Sequence, residues 1–497
     1  MFREQLINKA IGSETRTLDI RRAKILATLG PASRDSASIE ALIVAGANGF
    51  RINMSHGNRD EKDEDIRKVR AAAASLKRSI AVLVDLSGPK IRTRQLKNAQ
   101  PVTLEKGAIF VITTREVEGD ATQVSTNYPD LPRVVSAGDR ILLDDGAIEL
   151  LVESTSDTDV VCRVINGGVL AERKGINLPG ISLPIDSLTE KDIEDLKWAV
   201  AQDVDYIALS FVRRAEDCVR AKSLIGKAGG RAPLVAKIEK AEAIDHLDDI
   251  IAAADAIMVA RGDLGVETSV ELVPVYQKRI IEKSVRAGKM VITATQMLQS
   301  MVTSPRPTRA EASDVANAVW DGTDALMLSN ETAIGQYPVP AVETMCRIIE
   351  SAESVKATES DTVAKWAGRQ SGRVSRALCE AAAFAAEEMG TKVTAVLTES
   401  GLMARRLSAL RPDQQIVALT NSQHVQNELS LIWGVEALIV PHADSTEEML
   451  RLGETVLLEA GTVKKGEMIV LMAGRLSGLG LSSSVTLFTV GEARARS

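Results

Sequence analysis

The chain has 497 residues, 45% of them hydrophobic and only 3% aromatic, with a formal net charge of −7 and a mean hydropathy near zero. That length suffices for three domains; the acidic balance argues against a nucleic-acid coat, and no apolar run approaches the ~20 residues that cross a bilayer as a helix. Cys162, Cys218, Cys346 and Cys379 form no CxxC, and His56, His246, His424 and His442 are as scattered, so reduced thiols in a cytoplasm are expected and a zinc site is not.

Residues 1–20 mix acids with bases, lack an apolar h-region and read as a short N-terminal extension, not a signal peptide. Lys24 to Thr28 then reads as a strand, Ser36 to Ala45 as a helix, Gly49 to Asn53 as a strand, Asp63 to Leu76 as a helix and Ile80 to Asp85 as a strand. That alternation is the signature of parallel βα units. From Gly88 to Pro184 it breaks into short β-rich segments such as PVTLEKGAIFVIT and DRILLDDGAIELLVES, separated by Gly, Asp and Asn. A small antiparallel β domain, a β-barrel over residues 88–184, is therefore expected, returning through the hinge-like RKGINLPGISLP. The rhythm resumes with a helix from Glu190 to Ala201 and strands at Asp205 to Phe211, Pro233 to Glu239, Asp255 to Ala260, Met290 to Ala294 and Ala325 to Ser329. With the three before the insertion these make eight, which predicts an α/β fold, a (β/α)8 TIM barrel of residues 21–87 and 185–353. After a polar linker, an Ala-rich helix (Ala377 to Met389) and strands at Val393 to Leu397, Ile416 to Leu419, Ala437 to Val440 and Glu467 to Leu471 predict a C-terminal α/β domain within residues 354–497.

A barrel of this kind keeps its chemistry at the C-terminal strand ends. Those ends carry Thr28, Arg51, Asn53, Ser55, Asp85, Ser210, Lys237, Glu239, Arg261, Asp263, Thr295 and Ser329. Lys237 and Glu239 are two apart and so share one face of an extended chain. Lys237 must meet a partner or snorkel to water, because burying it alone is costly. Glu239 and Asp263 are hard oxygen ligands on neighbouring strands and suit Mg2+ or Mn2+. Arg51 and Lys237 supply charge for a phosphate. The glycine of Arg261-Gly262-Asp263 lets backbone N–H groups approach an anion. No GxxxxGK[ST] occurs, so no P-loop holds a nucleotide. Blander readings stand beside these. Ser210 and Ser329 would satisfy strand-end backbone groups, Asp144-Asp145-Gly146 would be a plain hairpin turn, and His56 is a loop cap or a nucleotide contact at even odds.

These residues sit in blocks, ATLGPAS, FRINMSHG, DLSGPKIRT, DDGAIEL, KGINLPG, AKIEKAEAI, MVARGDLGVE, ATQMLQSM and PTRAEASDVANAVWDGTDALMLSNETAIGQYP, that resemble the pyruvate kinase family in order from Lys24 onward. The resemblance implies phosphoryl transfer from phosphoenolpyruvate to ADP, the last step of glycolysis, by an allosteric homotetramer. It assigns Arg51 and Lys237 to the phosphate in flight, and Gly262, Asp263 and Thr295 to the carboxylate side, with a proton relay near Thr295. It assigns Glu239 and Asp263 to the divalent ion, and Asn53, Met54, Ser55, His56, Arg92 and Lys174 to the nucleotide. The insertion would close as a lid that keeps water out. In the C-terminal domain, Thr398, Ser400 and Gly401 fit a loop for a phosphorylated effector, although Met403 replaces a hydroxyl; the final loop is AGRLSGLGLSSSV.

Two departures stand out. Potassium-dependent members carry Glu where this chain has Lys90, and Thr where it has Leu86. A fixed ammonium can supply the charge of a bound K+, so K+ is expected not to be required; Asn53, Ser55 and Asp85 would then lack an ion to hold. The bland alternative is that Lys90 faces solvent. Asn330 replaces the Gly of LSGET, and Asn is the least costly substitute if that position has positive φ. A rival reading, another metal-dependent barrel enzyme of pyruvate chemistry such as a class II aldolase, gives the β insertion, Lys174 and Arg92 no role. A degenerate binding protein is opposed by the presence of Arg51, Lys237, Glu239, Asp263 and Thr295 together.

Overall fold

The computed structural model describes residues 21–181, 183, 185–355, 373–442, 446–473 and 484–491. The expected extension, nearly all of the linker and the body of the AGRLSGLGLSSSV loop lie outside the described residues. Eight strands, β1 (Lys24–Thr28), β2 (Gly49–Asn53), β3 (Ala81–Asp85), β4 (Tyr206–Leu209), β5 (Leu234–Ile238), β6 (Ala256–Ala260), β7 (Met290–Ala294) and β8 (Ala325–Leu328), pair in parallel and close into a barrel in sequence order. The intervening helices begin where side chains can accept the first free N–H groups. Asp35 and Asn58 cap Ser36–Ala45 and Arg59–Leu76, while Thr189 with Asp192 and Thr308 with Glu311 form capping boxes. The Arg59–Leu76 helix starts four residues before the expected Asp63, because the polar run Asp60 to Glu64 masks the periodicity while its acids favour a helix N-terminus.

Each strand divides its residues between two cores. Ile25, Phe50, Ile52, Val84, Ile207, Ala236 and Val259 pack outward against the helices, whereas Leu26, Leu83, Ala208, Val235, Met258, Ile292 and Met327 fill the barrel. Asp85 lies two residues beyond Leu83, Ser210 two beyond Ala208, and Lys237 two beyond Val235. The period of two thus carries the inward direction up to the rim and delivers polar side chains into one space. At the opposite end, the barrel interior is continuous with Leu407, Leu429, Leu431 and Ile432 of the C-terminal domain, and Tyr206 donates its hydroxyl to the Glu428 carbonyl at 2.7 Å.

The insertion forms a six-stranded sheet around Phe110, Leu143, Leu150 and Val164. Its neighbours are antiparallel as expected, except that Ile109–Thr113 and Gln123–Ser125 run parallel. A separate two-stranded pair joins Val102–Leu104 to Gly168–Leu170. The C-terminal sheet has five strands, one more than expected: Ser484–Thr489 adds antiparallel to Met468–Ala473. All four cysteines are free thiols, and among the described residues no helix is long and apolar enough to cross a membrane.

The strand expected from Asp205 to Phe211 is shorter, Tyr206–Leu209, which leaves Asp205 at the barrel floor. Its Oδ2 accepts from Val82 N at 2.6 Å and pairs with Arg70 at 2.9 Å, but its Oδ1 is buried without a hydrogen bond. Burial outweighs the Arg70 charge and pushes the carboxyl up to about 6. A folded-state pKa above the unfolded one means the associated stability is complete below the ordinary carboxylate range and is lost as pH rises through about 6. Asp205→Asn is therefore expected to flatten that slope and to raise the thermal midpoint at neutral pH by a few degrees. A pH series of thermal melts checks it; an unchanged slope in the variant would refute the assignment.

Candidate active site

Residues at the C-terminal ends of β3, β4 and β5 meet at one ammonium. Lys237 Nζ lies 2.8 Å from Glu239 Oε1 and 3.1 Å from Asp85 Oδ1, and donates to Ser210 Oγ at 2.7 Å. Ser210 in turn donates to the Leu86 carbonyl, so it both satisfies backbone and positions the lysine. Burial alone would push the Lys237 pKa down, yet the Asp85 and Glu239 carboxylates together outweigh it and hold the value above the ordinary one. Lys237 does not snorkel: its side chain is only 9% exposed. Arg51 closes the other side of Asp85 with two 2.7 Å contacts to Oδ2. Despite complete burial, the Lys237 and Arg51 charges keep Asp85 ionised, below the ordinary carboxylate range. Two cations held by one carboxylate at a strand end form a receptor for a group with more than one negative charge.

Glu239 is enclosed, 1% exposed, and its Oε2 accepts from Phe211 N at 2.6 Å. Its pKa is raised, by burial first and against Lys237, with Asp263 adding repulsion. Glu239 and Asp263 are thus two hard oxygen donors whose mutual repulsion a cation would relieve. Among the described residues no group of three or more His, Cys, Asp or Glu could hold a metal. A pair of carboxylates fits Mg2+ or Mn2+, which keep waters and take substrate oxygens, and does not fit zinc.

Across the rim, Gly262 N donates to Thr295 Oγ1 at 2.9 Å at the start of the Arg261–Glu267 helix. A Cβ at Gly262 would stand 3.4 Å from that hydroxyl oxygen. Thr295 adopts φ of 70° and Gln296 of 54°, a conformation that costs a β-branched residue energy and persists where the surroundings enforce it. Arg261 supplies the enforcement. It turns away from the rim, donates to the Thr295 and Ala294 carbonyls at 2.7 and 3.3 Å, and pairs with Asp314 at 2.7 Å. Arg261→Gln is expected to cut kcat/KM on the order of tenfold to a hundredfold by releasing this turn, while Arg261→Lys recovers only part. Steady-state kinetics with unchanged kcat/KM would exclude the positioning role.

A cavity of about 450 Å³ lies between rim and insertion, lined by Phe211, Lys240, Asp263 and Glu267 of the barrel side and by Lys90, Asp145, Asn177 and Leu178 of the insertion. It meets the Lys237 cluster only through Asp263 and Phe211; Lys237 and Arg51 themselves do not line it. Asp145 therefore does more than form the expected hairpin turn. Its carboxyl is pushed up by desolvation and by Asp263, against Lys90. Asn177 donates to Glu267 at 3.0 Å, tying the insertion to the barrel. Phe211, which the sequence reading gave no role, has φ of 55° and places its ring under Lys90 and Lys240, at 5.9 and 5.7 Å.

The remaining candidates divide. Asn53 pairs with Asp85 in the strand register and accepts from Ser55 N; the Met54 side chain turns into the core, while its N–H donates to the Asp85 carbonyl and its carbonyl accepts from Lys191, each at 3.0 Å. His56 has its pKa lowered by desolvation and by the charges of Arg92, Lys90, Lys62 and Arg51, a cluster suited to phosphates. Lys174 pairs with Asp144 at 2.9 Å. Leu86 is buried. Asn330 opens a short helix and is not among the residues with positive φ, so the condition for its special tolerance is not met. Ser329 Oγ is buried without a hydrogen bond instead of satisfying backbone. Far from the rim, Thr398 Oγ1 accepts from Gly401 N at 2.9 Å, Gly401 has φ of 73°, and Ser400 is exposed beside them.

Known proteins share this sequence and fold. The family model "Pyruvate kinase, barrel domain" matches residues 20–342, and "Pyruvate kinase, alpha/beta domain" matches residues 376–485. The chain is 43% identical to pyruvate kinase of Mycobacterium tuberculosis, over 95% of this chain and 99% of that protein. It is 44% identical to pyruvate kinase 2 of Synechocystis, over 94% of this chain and 78% of that protein. A crystal structure of a pyruvate kinase from Cryptosporidium parvum superposes with a TM-score of 0.88 at 32% identity, covering 97% of this chain and 99% of that one. With both domains matched, and Lys237, Arg51 and paired acids gathered at one rim, the chain belongs to the pyruvate kinase family and is a phosphotransferase.

Proposed function

We propose that the enzyme transfers the phosphoryl group of phosphoenolpyruvate to ADP, giving pyruvate and ATP as the last step of glycolysis. The observation that carries this is the buried Lys237 ammonium held between Asp85 and Glu239, with Arg51 on the same aspartate. Arg51 and Lys237 bind the phosphoryl group. As its bond to the enol oxygen breaks and a bond to the terminal ADP oxygen forms, Lys237 offsets the electron pair left on the enolate. Gly262 and Asp263 N–H groups and Thr295 orient the carboxylate. A proton delivered at carbon three, by a relay near Thr295, completes pyruvate. Glu239 and Asp263 would hold Mg2+ or Mn2+, whose charge offsets that of the phosphate and enolate oxygens.

The nucleotide is assigned to Asn53, Met54, Ser55, His56, Arg92 and Lys174, and the space for it to the cavity beneath residues 88–184 acting as lid. Residues 21–87 and 185–353 are the catalytic barrel, and 354–497 the regulatory domain. Lys90, half-buried above Phe211, takes the place of K+, beside Asn53, Ser55, Asp85 and Leu86, in an enzyme that needs none. A phosphorylated effector at Thr398, Ser400 and Gly401, a homotetramer and a cytoplasmic setting complete the proposal. A coupled assay for pyruvate from phosphoenolpyruvate and ADP, with Mg2+ or Mn2+ present, tests it. Absence of turnover would leave the binding-protein reading in its place.

A further inference from the structure

At the end of the barrel opposite the rim, a cavity of about 490 Å³ opens between barrel and C-terminal domain. It is lined where β4, β6 and β7 begin, at Tyr206, Ala256 and Met290, and by the start of the helix Leu402–Ala409. Five cations face it, Lys222, Arg231, Lys289, Arg405 and Arg406, against one carboxylate, Asp255. That carboxylate is spent: Oδ1 accepts from Lys222 at 2.6 Å and Oδ2 from Leu234 N at 2.9 Å. Arg405 is committed to Glu428 and donates to the Ser400 carbonyl. Among the described residues Lys289 reaches only the Ala254 carbonyl, at 2.5 Å, and its pKa is lowered, by burial first, with too little negative charge nearby to restore it. Among the described residues, Arg231 and Arg406 form no ion pair.

We propose that this cavity is an anion site for a phosphate ester of a small metabolite, separate from both the catalytic rim and the Thr398 to Gly401 loop. Unmatched guanidinium and ammonium groups gathered in one concavity repel one another, and a dianionic phosphate removes that repulsion with charge-assisted hydrogen bonds. The volume admits a body of sugar or nucleoside size, and Tyr206, Pro233 and Met290 give it an apolar wall. Because Arg231 and Lys289 belong to the barrel and Arg406 to the C-terminal domain, one phosphate would clamp the two together. Arg405 connects the same wall to the neighbouring loop through Ser400.

Calorimetric titration of the full chain with inorganic phosphate, glycerol phosphate and adenosine monophosphate tests this, with Arg231→Gln, Arg406→Gln and Ser400→Ala as variants. Neither arginine belongs to the catalytic or effector-binding residues named above, so in both arginine variants basal activity and the ligand-free melting temperature are expected to stay the same. Saturable binding of a phosphate ester is expected, weakened about tenfold or more by each arginine variant and unchanged by Ser400→Ala. Binding that survives both arginine variants, binding abolished by Ser400→Ala alone, or no saturable binding of any probe would each overturn the site. All three results leave phosphoryl transfer at the rim unaffected, so the two proposals fail separately.

Discussion

Lys237→Met is expected to lower kcat by about 10²–10³-fold while divalent-ion binding persists. The methionine keeps most of the lysine's length, so the barrel interior stays filled. What disappears is the one ammonium that touches Asp85, Glu239 and Ser210 together. Asp85 retains Arg51, so the guanidinium proposed to bind phosphate stays oriented. Glu239 retains the Phe211 N–H and remains an oxygen donor beside Asp263. The loss therefore falls on charge that develops during transfer, on kcat more than on KM. A second consequence follows from linkage. The Asp85 pKa is held down in the folded enzyme by Lys237 and Arg51 against burial, so its stabilisation is present above the ordinary carboxylate range and is lost as pH falls through the lower folded value. Without Lys237 that loss moves to higher pH, and the variant should melt earlier in mild acid than the parent. Steady-state kinetics with a Mn2+ titration separates the two effects. A kcat within tenfold of the parent would remove Lys237 from the transition state.

The convergence on Lys237 was legible because it follows from periodicity. Val235, Lys237 and Glu239 share a parity, as do Leu83 and Asp85, and a parallel barrel sends one parity inward on every strand. Even so, the sequence alone named Glu239 and Asp263 as the acids near the lysine, whereas the one that bridges it to Arg51 is Asp85. What escaped were features set by distant partners. Arg261 finds Asp314, 53 residues away, and that pairing turns it from the rim and fixes Thr295 in a left-handed conformation that no local pattern announces. Asp145 reads as a hairpin residue until the fold brings it into one cavity with Asp263. The fifth C-terminal strand was hidden because SSSVTLFTV begins in a Ser and Gly run that resembles a loop. The cavity at the barrel floor draws its cations from four separate segments, and no stretch of the chain is itself conspicuously basic.

Replacing Lys90 with glutamate is expected to make catalysis depend on K+. In the parent, adding K+ to potassium-free and sodium-free buffer should change the rate by less than tenfold; in Lys90→Glu the rate without K+ should fall at least tenfold and recover when K+ is supplied. The half-buried Lys90 stands 5.9 Å from the Phe211 ring centre, and its charge acts on Glu239, Asp145 and His56. It does not simply face solvent. Reversing it adds a carboxylate to a space already holding Glu239, Asp263 and Asp145, and about to receive further negative charge with phosphoenolpyruvate and ADP. Two unit charges about 4 Å apart interact by roughly 4 kcal/mol near a protein surface, whereas a tenfold rate change requires only about 1.4 kcal/mol. The reversal is thus more than large enough to register, and a monovalent cation is the smallest species that can undo it. Two results would count against the substitution of ammonium for ion. Tenfold or greater activation of the parent by K+ would mean that Lys90 leaves the ion's place open. A Lys90→Glu enzyme that K+ cannot rescue would mean that the lost charge acts on the nucleotide instead, which the KM for ADP would then report.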